Sequence, residues 1–267
     1  NPSGMNFPYG VREFPMCAIN NGIAQHGGLH SFDATFFVFA DYERPALRLR
    51  ALQGLPSVSE LTHDSIYVGE DGPTHQPIEH IMSYRAIPNL LVLRPADANE
   101  AVVASKIAFE QKDRPSLVLL TRQGLPVFDR GVYPKPCNLE KGGYIMSDAE
   151  NPDIMIFATG SEVWVALDAK DMLSDKGYSV KVVNLGCWEL FEEQDSAYRE
   201  SVLPSSVTAR VAVEAGIQQG WDRYLGGKGL FVGMNSFGAS GKAEELYAHF
   251  GITVQAVVDA AQKAINT

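Results

Sequence analysis

The feature that most limits the fold of this chain is a regular alternation of short apolar runs with segments of helical periodicity. Apolar residues at helical spacing over 11–28 predict a first helix, which ends at two glycines. Three runs of strand length follow, "ATFFVFADY", "LLVLRPAD" and "PSLVLLTRQ", alternating with the helical segments "ERPALRLRALQGLP", "IEHIMSYRAIPN" and "NEAVVASKIAFEQKD". The arginines of the segment "ERPALRLRALQGLP" are expected on its solvent side. Strands that alternate with helices of about a dozen residues are typical of parallel βαβ units.

The alternation restarts after a segment rich in proline and glycine. Residues 125–141 contain Pro126, Pro134 and Pro136, which predicts a linker. Beyond it, strands are predicted at "DIMIFATG", "YSVKVVNLG" and "VTARVAVEAG", and helices at "SEVWVALDAKDMLSDKG", "AEELYAHFG" and "TVQAVVDAAQKAI". We therefore predict an α/β chain of two doubly wound domains, 1–124 and 142–267, each an open, mostly parallel sheet flanked by helices.

Polar segments follow several of the predicted strands. Ligands of open parallel sheets bind beyond the carboxyl ends of the strands, which is where "RQ", "ATGSE" and the segment "THDSIYVGEDGPTHQP" fall. The last of these contains His63, Asp64, Glu70, Asp71 and His75. Imidazoles that face carboxylates suit proton transfer near neutral pH. A metal site is a weaker alternative because no third ligand stands at a recognised spacing, and a solvated loop is the other alternative.

Four further residues have an ordinary structural explanation when the sequence is considered without a family. Glu13 stands in the first turn of a predicted helix, where a carboxylate is favoured by the helix dipole alone. Phe36 and Phe39 fit the interior of a strand. Arg122 follows an apolar strand, so it is placed either to bind a phosphate or carboxylate or to pair with a nearby acid.

Composition and charge exclude several classes of protein. The chain of 267 residues carries 32 Asp and Glu against 22 Lys and Arg, a formal net charge of −10. Nucleic acids and anionic membranes are bound by concentrated basic surfaces, so neither is predicted as a partner. No apolar run reaches the roughly 18 residues of a membrane span, and no signal peptide is recognised. The three cysteines form no CxxC pair, which favours reduced thiols in a cytoplasmic protein.

Several of these segments, taken in order, resemble one enzyme family. "GVREF", "TFFVFADY", "THDSI", "GEDGPTHQP" and "LTRQ" are similar to the motifs of transketolases, and "FATGSEV", "QDSAYRESVLP" and "VTARVAVEAG" resemble their carboxy-terminal domain. The resemblance extends from about Tyr9 to the end of the chain. It implies a pyrimidine-binding domain over 1–124, truncated at its start, and a carboxy-terminal domain over 142–267. The implied reaction moves a two-carbon ketol unit from a ketose phosphate to an aldose phosphate in the pentose phosphate pathway.

The resemblance implies a cofactor, thiamin diphosphate, and the residues that hold its pyrimidine ring. Glu13 matches the glutamate that hydrogen-bonds the ring nitrogen N1′ and has a catalytic role. Phe36, Phe39 and Tyr42 match the aromatic residues that pack on or around the ring. Cofactor stacking thus replaces core packing as the expected role of Phe36 and Phe39.

The resemblance also implies how a sugar phosphate is bound. His63 and Arg122 match the pair that holds the phosphate at the mouth of the channel. Asp71 matches the acid that recognises a sugar hydroxyl. His75 matches the histidine that contacts the donor ketose and assists proton transfer at the reacting hydroxyls.

Finally, the resemblance implies parts that this sequence lacks. In transketolases the ligands of the diphosphate and of Mg²⁺ lie in an amino-terminal domain, and the active site is shared by two subunits of a homodimer. The first residue here is Asn1, not Met. We therefore expect a fragment that has no metal ligands of its own and is inactive without the amino-terminal domain. The alternatives are part of another thiamin-diphosphate enzyme, such as a deoxyxylulose-phosphate synthase, and a non-catalytic dimerisation module.

Two departures from the family pattern lie in the segment before His75. Ser57, Ser59 and Glu60 stand where the family has an apolar strand, so this strand is expected to be exposed or to have changed surroundings. Tyr67 replaces a small residue and is expected to narrow the sugar channel.

Overall fold

The structure is a computed structural model and describes residues 5–266. Residues 1–4 and 267, which belong to the two predicted domains, lie outside the described residues. The first sheet has four parallel strands in the order β1-β2-β4-β3. They are β1 (Phe32–Phe36), β2 (Val58–Thr62), β3 (Leu91–Leu93) and β4 (Ser116–Leu120). The helices of this half are α1 (Glu13–His26), α2 (Ala40–Leu52), α3 (His80–Arg85) and α4 (Ala98–Glu110). Two 3₁₀ segments, Phe37–Phe39 and Ile66–Asp71, follow β1 and β2.

The second sheet has five strands in the order β5-β7-β6-β8-β9, and only its edge strand β5 runs antiparallel. They are β5 (Tyr144–Ser147), β6 (Ile154–Ala158), β7 (Val180–Asn184), β8 (Arg210–Ile217) and β9 (Leu230–Met234). The helices are α5 (Glu162–Asp175), α6 (Trp188–Glu192), α7 (Ser196–Val202), α8 (Asp222–Leu225), α9 (Ala243–His249) and α10 (Val254–Ile265). A 3₁₀ segment, Pro136–Lys141, precedes β5. The predicted fold class, two mostly parallel sheets flanked by helices, is confirmed.

The most apolar strands of both sheets are covered on two faces, including β3 at the edge of the first sheet. All three residues of β3 and all five of β6 and β7 are buried. Continuous apolar runs of this kind are what a parallel sheet between two layers of helices requires. The main apolar core runs through both halves, joining Leu91 and Leu93 of β3 with Ile154 and Ile156 of β6.

The prediction of a single strand over "ATFFVFADY" was wrong in its second half. The strand ends at Phe36, which pairs with Thr62 of β2, and the chain then turns through Phe37–Phe39 into α2. Phe37 is fully buried, whereas Phe36 and Phe39 remain half-buried. The aromatic residues that suggested a strand therefore form a turn, because only one of the three rings enters the core.

The prediction that the arginines of α2 lie on its solvent side was wrong for Arg50. Arg50 is fully buried and pairs with the buried Asp33 of β1. Its Nη1 also donates to the hydroxyl of Ser59 at 2.8 Å. This cluster accounts for Ser59 of β2, which is buried like Ser57 just before the strand, whereas Glu60 is half-buried. Sequence alone did not identify the cluster, because its members come from three separate elements.

Candidate active site

The predicted site residues converge at the carboxyl ends of β1, β2 and β4. Phe36 pairs with Thr62, and Thr62 pairs with Leu120, so these three strands end at the same level. His63 is the residue after β2, and Arg122 follows β4 by two positions. Register alone therefore brings Phe36, His63 and Arg122 to one edge of the sheet, where open parallel sheets bind ligands.

A row of rings connects two histidines across this edge. The imidazole of His63 stacks on Phe36 with ring centroids 3.7 Å apart and planes inclined by 18°. Phe36 and Phe39 are nearly parallel at 10°, with centroids 6.1 Å apart. His75 meets Phe39 edge-on at 5.3 Å, and Tyr42 of α2 lies 6.3 Å from Phe39. Five of the predicted residues thus form one continuous cluster, and Tyr42 at its end is 66% exposed.

His63 has a backbone conformation that is uncommon for a residue with a side chain. Its φ is 62°, in the left-handed region, which costs on the order of 1–3 kcal/mol and persists only where neighbours fix it. The next residue, Asp64, is completely buried and accepts a hydrogen bond from Arg94 Nε at 2.7 Å. Partial burial and the nearby positive charge of Arg122 lower the pKa of His63, against the opposing effect of Asp71. The imidazole is therefore neutral near pH 7.

Each histidine of the row is engaged by the threonine that precedes it. Nδ1 of His63 lies 2.9 Å from the hydroxyl of Thr62, and Nδ1 of His75 lies 2.9 Å from the hydroxyl of Thr74. With Nδ1 occupied in both rings, Nε2 is the atom left to meet a ligand. The repeated Thr-His pair in "THDSI" and "THQP" therefore places a threonine hydroxyl against Nδ1 of both imidazoles.

The turn between β2 and α3 presents the predicted acids to solvent. Glu70 and Asp71 are exposed, while His75 is half-buried. Gly72 has a φ of 80°, and a Cβ there would meet Ser240 Oγ at 2.3 Å. The side chain of Gln76 donates to the carbonyl of Gly69 at 2.9 Å, across the base of the turn. The path of the turn is thus fixed by glycine and by contacts with the second half of the chain.

Glu13 opens α1 and lies close enough to α2 to interact with a second glutamate. Glu43, one residue after Tyr42, is fully buried, and within residues 5–266 neither of its carboxyl oxygens has a hydrogen-bond partner. Burial, and after it the charge of Asp33, raise the pKa of Glu43 to about 9, with Glu13 adding a smaller effect. Glu43 is consequently protonated near neutral pH. Glu43 carried no sequence signal, since a glutamate in the first turn of a helix is ordinarily a solvated residue.

The corresponding edge of the second sheet is filled by an arginine from the first. Arg94, which follows β3, is completely buried and donates from Nη1 to the carbonyl and the hydroxyl of Thr159 at 2.8 and 3.0 Å. It also pairs with Glu162 at the start of α5. Thr159 follows β6, so the segment "ATGSE" does lie at a carboxyl end, but it binds Arg94.

A second buried ion pair completes this contact. Arg85 of α3 makes two hydrogen bonds of 2.9 Å to Glu214 of β8, and Glu214 also accepts from Trp221 Nε1 at 2.9 Å. Burial acts against ionisation of Glu214, but the charges of Arg85 and Arg94 and the hydrogen bonds from Arg85 and Thr159 together outweigh it, and the pKa of Glu214 is lowered. Burial raises the pKa of Asp64, the carboxylate on the other side of Arg94. The two halves of the chain are therefore joined through charged groups that water does not reach.

Two further properties bear on what the molecule can bind. Within residues 5–266, one group of side chains has ligand atoms close enough for a metal ion, namely Asp41, Glu79 and His80. Asp41 lies 3.0 Å from Nε2 of His80 while Glu79 lies 3.8 Å from Nδ1, so the two carboxylates face opposite nitrogens of one ring. In the same part of the chain, no helix is both long enough and apolar enough to cross a membrane.

Family models match both halves of the chain. Residues 1–127 match the transketolase pyrimidine-binding domain, and residues 142–253 match the transketolase-like carboxy-terminal domain. Transketolase of Aquifex aeolicus is 49% identical over 259 residues, and transketolase-1 (chloroplastic) of Arabidopsis thaliana is 52% identical over 265. These matches cover 97% and 98% of this chain but 38% and 35% of the relatives. The chain thus spans little more than a third of the length of these relatives.

Solved structures agree with the sequence comparison. A transketolase complex with sedoheptulose 7-phosphate from Pichia stipitis is 42% identical with a TM-score of 0.92, covering 97% of this chain and 37% of that one. An inactive β4 tetramer of a split-gene transketolase is 25% identical with a TM-score of 0.79, covering 96% of this chain and 82% of that one.

Proposed function

This chain belongs to the transketolase family, and from that premise we propose that it is the pyrimidine-binding and carboxy-terminal part of a transketolase. The proposed reaction transfers a two-carbon ketol unit from a ketose phosphate to an aldose phosphate, as in the pentose phosphate pathway. The observation that carries the proposal is the row of rings in which His63 and His75 flank Phe36 and Phe39. We propose the domain bounds 1–124 and 142–267 with a linker between them.

The residues at the ends of α1 and β1 fit the aminopyrimidine of thiamin diphosphate. Phe36 and Phe39 are half-buried and nearly parallel, and Tyr42 extends their surface, as a planar heterocycle requires. Glu13 would hydrogen-bond a ring nitrogen of the pyrimidine. When bound, thiamin diphosphate supplies the electron sink that allows a carbon–carbon bond beside a carbonyl to break. We propose that the ligands of its diphosphate and of Mg²⁺ come from outside this chain.

The remaining residues would bind and orient the sugar phosphate. Arg122 is exposed and His63 offers Nε2, so together they suit an anionic group at the outer end of the row. Asp71 would accept a hydrogen bond from a sugar hydroxyl. His75, whose Nδ1 lies against Thr74, would exchange a proton at the reacting hydroxyl through Nε2.

We propose that activity needs both a second copy of the chain and an amino-terminal transketolase domain. Large apolar side chains are exposed near the start of the chain, among them Phe7 (64%), Val11 (91%) and Leu29 (71%). Exposed apolar side chains of this kind suit burial in a homodimer. The similar split-gene β4 tetramer is described as inactive, which supports the proposal that this chain alone is inactive.

We propose the cytoplasm as the location of this chain. Its cysteines Cys17, Cys137 and Cys187 form no disulfide, and two of them are buried. The Arabidopsis relative is named chloroplastic, so recovery of the protein from isolated plastids is the result that would contradict this location.

The experiment that tests the function is a ketol-transfer assay from xylulose 5-phosphate to ribose 5-phosphate, with thiamin diphosphate and Mg²⁺ supplied. It is run on this chain alone, on the chain mixed with a separately produced amino-terminal domain, and on both joined in one polypeptide. Transfer is expected only when the amino-terminal domain is present. Transfer by the chain alone would contradict its proposed inactivity, and absence of transfer in all three would contradict the function.

A further inference from the structure

An acidic side chain from the second half of the chain stands at the outer end of the candidate site. Glu244 lies in the first turn of α9, and its Oε1 accepts a hydrogen bond of 2.6 Å from the phenol of Tyr67. The ring of Tyr67 packs edge-on against Tyr247 of the same helix, with centroids 5.2 Å apart. Tyr67, which stands where the family has a small residue, therefore contacts the carboxy-terminal half rather than only narrowing a channel.

The segments that carry this pair are held together closely. A Cβ at Gly72 would meet Ser240 Oγ at 2.3 Å, and a Cβ at Gly238 would meet Gln76 Oε1 at 1.8 Å. Gln76 also donates from Nε2 to the carbonyl of Ala239 at 2.9 Å. The residues before α9 thus pack directly on the turn that carries Tyr67 and Asp71. The position of Glu244 relative to the site is fixed by these close contacts as well as by its hydrogen bond.

Glu244 shares its surroundings with the proposed phosphate ligands. Thr62 pairs with Leu120, which brings His63 and Arg122 side by side, and Tyr67 lies in the 3₁₀ segment Ile66–Asp71 that follows His63. The hydrogen bond from Tyr67 is the main cause of the lowered pKa of Glu244, and the positive charges of Lys242 and then of Arg122 make smaller contributions. The carboxylate is therefore charged at neutral pH and lies within the field of Arg122.

This arrangement has a structural and a functional interpretation. A carboxylate in the first turn of a helix is favoured by the helix dipole, and the bond to Tyr67 could serve only to join the two halves. Near Arg122, however, a fixed negative charge must also repel a substrate phosphate and reduce the attraction that the guanidinium offers. The two interpretations differ in what they predict for charged and uncharged substrates.

We infer that Glu244, held by Tyr67, is a specificity-determining residue that weakens the binding of phosphorylated sugars relative to uncharged ones. The inference rests on the proposed function, since it takes the end of the site at Arg122 as the end that receives the phosphate. Its carboxylate offsets part of the positive charge of Arg122. The substrates it disfavours are those that carry a dianionic group at this end.

The test is Glu244→Gln in the complete enzyme, because glutamine keeps an oxygen that can accept from Tyr67 but removes the charge. The KM for ribose 5-phosphate is expected to fall about two- to fivefold, the range of exposed charge pairs, with kcat unchanged. The KM for an uncharged acceptor such as glycolaldehyde is expected to stay the same. The difference should shrink as salt is raised towards about 1 M, where exposed charges are screened.

A matched control lies next to Glu244 in the sequence. Glu245→Gln removes the same charge from an exposed residue that pairs with Lys242 at 3.9 Å. It is expected to leave both KM values unchanged. In a Tyr67→Phe background, the effect of Glu244→Gln should be smaller, because the carboxylate is no longer held at the site.

The outcome separates this inference from the proposed function. If the wild-type enzyme transfers ketol units and Glu244→Gln lowers neither KM, the inference is overturned while the function stands. If there is no transfer at all, the function fails, and the inference is judged by ribose 5-phosphate binding, followed through the NMR resonance of His63. Tighter binding in Glu244→Gln supports the inference, and equal affinity overturns it.

Discussion

Two arginines at the ends of neighbouring strands of the first sheet have opposite environments. Arg94 follows β3 and is completely buried, with its guanidinium bound to Asp64, Thr159 and Glu162. Arg122 follows β4, is exposed, and has no hydrogen bond or ion pair within residues 5–266. The same residue type at the same topological position thus joins two domains in one case and is available for a ligand in the other.

The edges of the two sheets differ in the same way. At the first edge, His63, Phe36, Phe39 and His75 are half-buried and offer ring faces and ring nitrogens. At the second edge, the strand order changes direction between β6 and β8, which is where an open sheet usually binds its ligand. Arg94 occupies that position. Topology therefore indicates two possible sites, and only the first leaves ring faces and ring nitrogens partly exposed, which is why we propose substrate binding there.

The largest effect is expected from Glu13→Ala, which alters the proposed cofactor site at the first edge. In the complete enzyme kcat should fall about 10²–10⁴-fold, the range for loss of a group that acts in proton transfer. The measurement is steady-state ketol transfer with saturating thiamin diphosphate. Glu110→Ala, in an exposed acid at the end of α4, is the control and should keep its activity. Activity of Glu13→Ala within tenfold of wild type would remove Glu13 from the site.

The next largest effect is expected from Arg94→Met, which removes the buried contact between the two halves of the chain. Loss of the guanidinium leaves the buried Asp64 and Glu162 without their partner, and removal of one member of a buried pair costs about 3–5 kcal/mol. Denaturant unfolding measures the loss. Arg114→Met is the control, since its pair with Glu193 is partly exposed and should contribute no more than about 1 kcal/mol. Equal losses in the two variants would show that the buried network does not hold the halves together.

A third prediction concerns the unpaired carboxyl beneath the first edge. Glu43 keeps its proton in the folded state up to a pKa of about 9, whereas the unfolded chain loses it near the ordinary value of 4.5. Stability is therefore expected to fall as pH rises between these two values. Glu43→Gln removes this dependence and should stabilise the protein at pH 8 by on the order of 2–4 kcal/mol, with little change at pH 4.

Unfolding curves of the wild type and of Glu43→Gln from pH 4 to pH 9 check this prediction. Glu150→Gln, at an exposed position, serves as the control for loss of one negative charge. If the wild type and Glu43→Gln respond to pH in parallel, Glu43 is ionised in the folded protein and the assignment of its proton is wrong.

The sequence predicted what depends on local pattern. The apolar runs in β3, β4, β6 and β7 indicated buried parallel strands, and the order of the elements indicated the α/β class. The clustering of His63 and His75 with Phe36, Phe39 and Tyr42 agrees with the grouping that the family resemblance implied. Their roles stay predictions until they are tested by substitution.

What the sequence did not predict depends on contacts between distant residues. Arg50 was placed in solvent because its partners Asp33 and Ser59 lie on two other elements, β1 and β2, and for the same reason β2 was expected to be exposed or to have changed surroundings. Arg94 gave no signal of its own, since its partners Thr159 and Glu162 are more than sixty positions away. Glu244 and Tyr67 meet only because the second half folds back over the turn after β2.

The most direct test of the account compares Arg122→Met with Arg94→Met in the complete enzyme, measuring the KM for ribose 5-phosphate and the unfolding midpoint of each. Arg122→Met is expected to raise this KM about tenfold, as loss of a charge-assisted hydrogen bond does, with the unfolding midpoint unchanged. Arg94→Met is expected to lower the midpoint strongly. If Arg122→Met leaves the KM for ribose 5-phosphate unchanged, or raises the KM for glycolaldehyde equally, Arg122 does not bind the phosphate, and the distinction drawn between the two edges is contradicted.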